Sequence, residues 1–183
     1  MEKKDLKPTG VFKYFEEICQ VPRPSKKEEK MIAYLKVFGA KHNLETKVDE
    51  AGNVLIKKPA TPGKENLQTV VLQSHIDMVC EKNNDVQHDF LTDPIETEID
   101  GEWLKAKGTT LGADNGIGVA TELAILADDS IEHGPLECLF TVDEETGLTG
   151  AFALKEGFMS GDILLNLDSE DEGELSLIHI SEP

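Results

Sequence analysis

Val70-Val71-Leu72-Gln73-Ser74-His75-Ile76-Asp77 is a largely apolar, β-branched run that ends on an imidazole and a carboxylate. Leu139-Phe140-Thr141-Val142-Asp143-Glu144-Glu145 repeats the pattern and ends on three acids. Such runs read as strands buried on both faces, as in sheets covered by helices. Open α/β sheets build their sites at strand ends, so both segments deliver polar groups where such a fold can use them. Two more segments follow suit. Gly112-Ala113-Asp114-Asn115-Gly116 is a glycine turn that carries an acid, and Leu164-Leu165-Asn166-Leu167-Asp168 is a third apolar run with a terminal carboxylate. One imidazole with several carboxylates is a donor set for divalent metals, and zinc accepts both kinds of ligand.

The rest of the chain supplies the frame. Val11, Phe12, Phe15, Ile18 and Cys19 recur at helical spacing over 8–20. Ser25 with Glu28 three residues on has the form of a capping box opening a second helix, whose stripe is Met31, Ile32, Leu35 and Phe38. Residues 45–48 and 53–57 read as strands joined by a hairpin turn at 49–52. Further strands are expected over 69–73, 102–106, 136–142 and 162–167. Helices are expected over 116–126 and near 148–156, with polar loops at 59–65 and 81–92. Strands alternating with helices predict an α/β fold, a three-layer arrangement in which a mixed, largely parallel sheet is covered by helices.

Composition narrows the function. The chain has 183 residues, 39% hydrophobic and 30% charged, enough for one domain with a real core. Its net charge is −18, from 18 Lys+Arg against 36 Asp+Glu. Such a chain repels phosphate backbones, which argues against a nucleic-acid partner. There is no apolar run of membrane-span length and no signal-type stretch after Met1, so the expected location is the cytoplasm, with no membrane partner. Cys19, Cys80 and Cys138 are odd in number and lack CxxC spacing, so no disulfide framework is expected. Most of the acid excess is solvated surface. Part of it clusters at 143–145 and 168–174, where carboxylates repel one another unless cations neutralise them.

Each motif has a plain alternative. His75 and Asp77 point to one side of an extended chain, and a metal-bound imidazole commonly donates its second N–H to a carboxylate; a strand-end His beside a surface Asp has the same spacing. Asp114 at a helix start could bridge two ions about 3.5–4 Å apart, or simply cap the helix. A nucleotide-binding glycine loop fails because position 121 is Thr121. Of Glu144 and Glu145, one could ligate metal while the other acts as general base, or both could be exposed turn acids; spacing does not say which acid does which. Asp168-Ser169-Glu170-Asp171-Glu172-Gly173 has the outline of a calcium loop, but position twelve is His179 and a strand leads in. His42, His88, His133 and His179 have no carboxylate partners in motif context and read as surface histidines.

Taken in order, Ser74-His75-Ile76-Asp77-Met78-Val79-Cys80-Glu81-Lys82, Gly108-Thr109-Thr110-Leu111-Gly112-Ala113-Asp114-Asn115-Gly116, Thr141-Val142-Asp143-Glu144-Glu145-Thr146-Gly147 and Leu167-Asp168-Ser169-Glu170 resemble the dinuclear zinc exopeptidases of the aminoacylase/carnosinase type, in particular the bacterial aminoacyl-histidine dipeptidases. The resemblance runs from about Leu6 to Leu175. It implies that His75, Asp114, Glu145 and Asp168 are metal ligands, with Asp114 between two divalent ions. The ions would be zinc first, with cobalt or manganese as alternatives. It implies that Asp77 orients His75 and that Glu144 is the general base. The implied activity is hydrolysis of small peptides, Xaa-His dipeptides among them, by a metal-activated water. Family members continue into a lid domain that mediates homodimerisation, and then into a second half of the catalytic domain that adds another His ligand. On this comparison residues 1–175 are the N-terminal half of a catalytic domain. Residues 176–183 are a foreign or divergent tail, and the chain alone is expected to be inactive, at most a metal-binding module.

Overall fold

In the computed structural model, residues 3–169 and the backbone of residues 176–179 are described. Tyr14, Phe15, Ile18 and Cys19 form the buried face of α1 (Thr9–Cys19). Met31, Leu35, Phe38 and Gly39 do the same for α2 (Glu29–Lys41). The expected capping box does not form. α2 begins after Glu28 without a side-chain cap; the Ser25 hydroxyl donates to Asp77 at 2.7 Å, and Glu28 accepts from the Lys26 and Asp143 N–H groups at 2.9 and 3.0 Å. Partners from distant strands have displaced the local pairing.

β1 (Glu45–Val48) and β2 (Val54–Lys58) are joined by a turn in which one Asp49 oxygen accepts from the N–H groups of Ala51, Gly52 and Asn53. β3 (Val70–His75) follows, then a separate antiparallel hairpin of β4 (Thr97–Asp100) and β5 (Trp103–Ala106). The sequence pattern shows only the second of these two strands. α3 (Ala113–Ala127), β6 (Leu136–Thr141), α4 (Thr149–Ala153), β7 (Ile163–Asn166) and β8 (Ser176–His179) complete the described elements. Residues 170–175 and 180–183, which include most of the calcium-loop outline and the end of the expected tail, lie outside the described residues.

The main sheet has six strands in the order β1-β2-β6-β3-β7-β8. β6, β3 and β7 are parallel, and the pairings outside them are antiparallel. The sheet is therefore mixed, with its parallel part at the centre. One face packs on α1, α2 and α3 through Phe15, Ile18, Met31, Leu35, Val119, Leu123 and Leu126. The opposite face carries Leu55, Val71, Leu139 and Leu164 under Leu154, Phe158 and Met159. Register places the site. His75 pairs with Thr141, and Gln73 pairs with Asn166, so the chains leaving β3, β6 and β7 emerge together at one edge.

Candidate metal centre

Three strand exits and one helix start meet at His75. Its ring is buried (1% exposed), while the side chain of Asp114 is 63% exposed. The Nδ1 atom lies 3.2 Å from Asp77 Oδ1, and Nε2 lies 2.9 Å from Asp114 Oδ1. Asp168 Oδ1 and Glu144 Oε2 stand 3.6 and 4.0 Å from the same Nε2. Two groupings result, His75–Asp114–Glu145 and His75–Glu144–Asp168, each with ligand atoms within 4.8 Å of one another.

Asp77 organises this edge. It is wholly buried. Besides His75 it accepts from the Ser25 hydroxyl and from the N–H groups of Glu144 and Glu145, at 3.0 and 3.2 Å. Asp143 has a left-handed backbone (φ 50°) that ends the extended run of β6, and its carboxylate is held by the Thr146 and Thr149 hydroxyls. With the strand ended there, adjacent Glu144 and Glu145 can both reach the neighbourhood of His75. A regular strand would have sent them to opposite faces.

The electrostatics fit cations. Burial raises Glu144, Glu145 and Asp168 above their usual range, and acidic neighbours raise each further. Burial also opposes charge on His75, yet hydrogen bonds to Asp77 and Asp114 push it up to about 9. Burial opposes ionisation of Asp77 too, but His75, the Glu144 N–H and Ser25 hold it down to about 2. Five carboxylates around one imidazole repel one another, and a proton on His75 offsets only part of that. Divalent cations would offset more, and the nitrogen and oxygen donors match what zinc accepts. The residues present fit such ions.

A family model describing peptidase family M20/M25/M40 matches residues 71–183. The chain belongs to this family. The M20 chain is 52% identical over 174 residues to the cytosol non-specific dipeptidase of Escherichia coli strain K12, covering 95% of this chain and 36% of that protein. Its fold superposes on aminoacylhistidine dipeptidase from Vibrio alginolyticus with a TM-score of 0.91 at 55% identity, over 94% of this chain and 35% of that one. Aminopeptidase PepT from Bacillus cereus gives 0.75 at 26% identity, over 88% and 43%. The chain thus spans about a third of the length of the first two relatives. Among the described residues no helix is long and apolar enough to cross a membrane.

In this M20 chain several site residues escape sequence reading. Ser25 and Glu28 resemble a helix cap and instead hold Asp77 and the Asp143 backbone. Arg23 donates to the Ile76, Asp77 and Gly112 carbonyls. Asn115 donates to Asp168 at 2.7 Å. His42, His88 and His133 are half-buried rather than surface groups, and none joins a metal grouping. The side chain of His179 is not described.

Proposed function

We propose that the protein, at its full natural length, hydrolyses dipeptides in the cytoplasm, Xaa-His dipeptides among them, with water activated at two divalent metal ions. The observation that carries this reading is the convergence of Asp114, Glu144, Glu145 and Asp168 on one buried imidazole. The names of the E. coli and Vibrio relatives point to dipeptides. His75, Asp114, Glu145 and Asp168 would hold the ions, with Asp114 shared; zinc suits the donor set, and cobalt or manganese could stand in. When bound, the ions would supply Lewis acidity toward the peptide carbonyl and lower the pKa of water.

The chain's own residues do the rest. Asp77 holds His75 through Nδ1 and leaves Nε2 beside Asp114, where it would be free to bind an ion. Glu144 takes the proton from the attacking water and returns it to the leaving amine; its raised pKa brings it nearer the range a general base needs. Residues 1–175 are read as the first part of a longer catalytic domain, and homodimerisation is assigned to a lid segment beyond them. The test is turnover of a dipeptide panel, including β-alanyl-histidine, by the full-length protein with zinc, cobalt or manganese. Chelator-sensitive hydrolysis is expected, and none on any dipeptide overturns the reading.

A further inference from the structure

Arg23 is 3% exposed, and its guanidinium donates to backbone carbonyls on both halves of the site. Nη1 reaches the Ile76 and Asp77 carbonyls at 3.2 and 3.0 Å, and Nη2 reaches the Gly112 carbonyl at 2.5 Å. One planar group therefore links the exit of β3, which carries His75 and Asp77, to the turn that carries Asp114.

The glycines flanking Asp114 are shaped around the same group. A Cβ on Gly112 (φ +67°) would stand 2.5 Å from Nη2 and 2.8 Å from Met78 Sδ; a Cβ on Gly116 would stand 2.7 Å from Nη2 and 3.0 Å from a Phe15 ring carbon. Neither glycine can gain a side chain without moving the guanidinium or its packing. The same chain segment grips the site twice more, through the bridge between Pro24 and Met78 and through the Ser25 hydroxyl on Asp77. Burying a guanidinium is unfavourable unless its donors are satisfied, and here they are spent on tying two ligand-bearing segments together.

We propose that Arg23 is a positioning residue for the metal centre: its guanidinium sets the separation of His75 and Asp114, and with it the geometry in which a shared cation is held. This rests on the metal reading above. A lysine keeps the charge but lacks the rigid fork, so it cannot reach three carbonyls in one plane. The role resembles that of outer partners that orient metal ligands, whose loss typically costs about 10–100-fold in metal affinity.

The test uses cobalt as the probe in the full-length protein. Affinity and the visible absorption spectrum are measured for the parent, Arg23→Lys and Gly116→Ala, alongside thermal unfolding of the chelated proteins. Arg23→Lys is expected to bind cobalt about 10–100-fold more weakly, with shifted absorption bands. Gly116→Ala, which crowds the guanidinium rather than removing it, is expected to move both readouts the same way. A lower unfolding midpoint with unchanged affinity and spectrum in Arg23→Lys would mean a purely structural brace and overturns the proposal. If Arg23→Lys does not fold, Gly116→Ala decides by the same two readouts. A parent that takes up no cobalt refutes the metal reading instead.

Discussion

Asp77 holds four donors with two oxygens; on the proposed reading its neighbours divide into groups that would bear cations and one that would move protons. Glu144→Gln is expected to keep its metal and lose at least about 100-fold in kcat, because it removes a proton carrier and no ligand. Glu145→Gln and Asp114→Asn are expected to lower bound metal, because each removes an anionic donor. Metal analysis of the purified full-length variants, with turnover, checks this; loss of metal in Glu144→Gln alone would reverse the assignment. Beneath the site, Glu122 on α3 is fully buried. One of its oxygens accepts from Ser74 at 2.6 Å, and the buried Cys138 thiol lies against the same carboxyl. Burial raises its carboxyl well above the usual value of 4.5. The folded protein then binds more protons than the unfolded chain above that pH, so this group makes stability fall as pH rises from there. Glu122→Gln should therefore be more stable than the parent near pH 7, on the order of 1 kcal/mol, with the gap closing near pH 4. Urea unfolding across pH reads it. The pairing of His75 with Asp77 was legible because the partners are two residues apart. The grips of Ser25 and Glu28 were not, because Asp77 lies 52 residues from Ser25 and Asp143 lies 115 from Glu28.

The element that seats Asp143 and the two glutamates is α4. Its second residue, Gly150, is buried against the end of β6. The Val142 N–H pairs with Asn53, the Gly150 N–H donates to the Val142 carbonyl, and a Cβ there would meet that carbonyl. Gly150→Ala is expected to destabilise the protein by about 1–3 kcal/mol through overpacking, seen as a lower denaturant midpoint with an unchanged slope. The apolar runs are legible as strands because β6 is buried at every position and β3 at four of its six, so apolar residues crowd both. β4 was not, since Thr97-Glu98-Ile99-Asp100 is polar and finds its partner only across a turn at Gly101. The start of α3 was half-legible. The helical pattern begins at Gly116, and Asp114 and Asn115 just before it have non-helical backbone angles that turn Asp114 toward His75.

At the scale of the molecule, a net charge of −18 and a site of clustered acids mean that bound cations should stabilise the fold. Zinc is expected to raise the unfolding midpoint of the full-length protein, and a chelator to lower it again. The parallel centre of the sheet was readable from strand order and helix alternation, whereas the antiparallel edges depend on pairings between segments far apart in sequence. On the proposed reading, His75, Asp114, Glu145 and Asp168 would together hold a pair of metal ions. The most direct measurement is the count of zinc bound per chain of the full-length protein after dialysis. About two ions are expected for the parent and for Glu144→Gln, and fewer for Asp114→Asn. A parent that retains no zinc, cobalt or manganese, or an Asp114→Asn variant that keeps the full count, would contradict it.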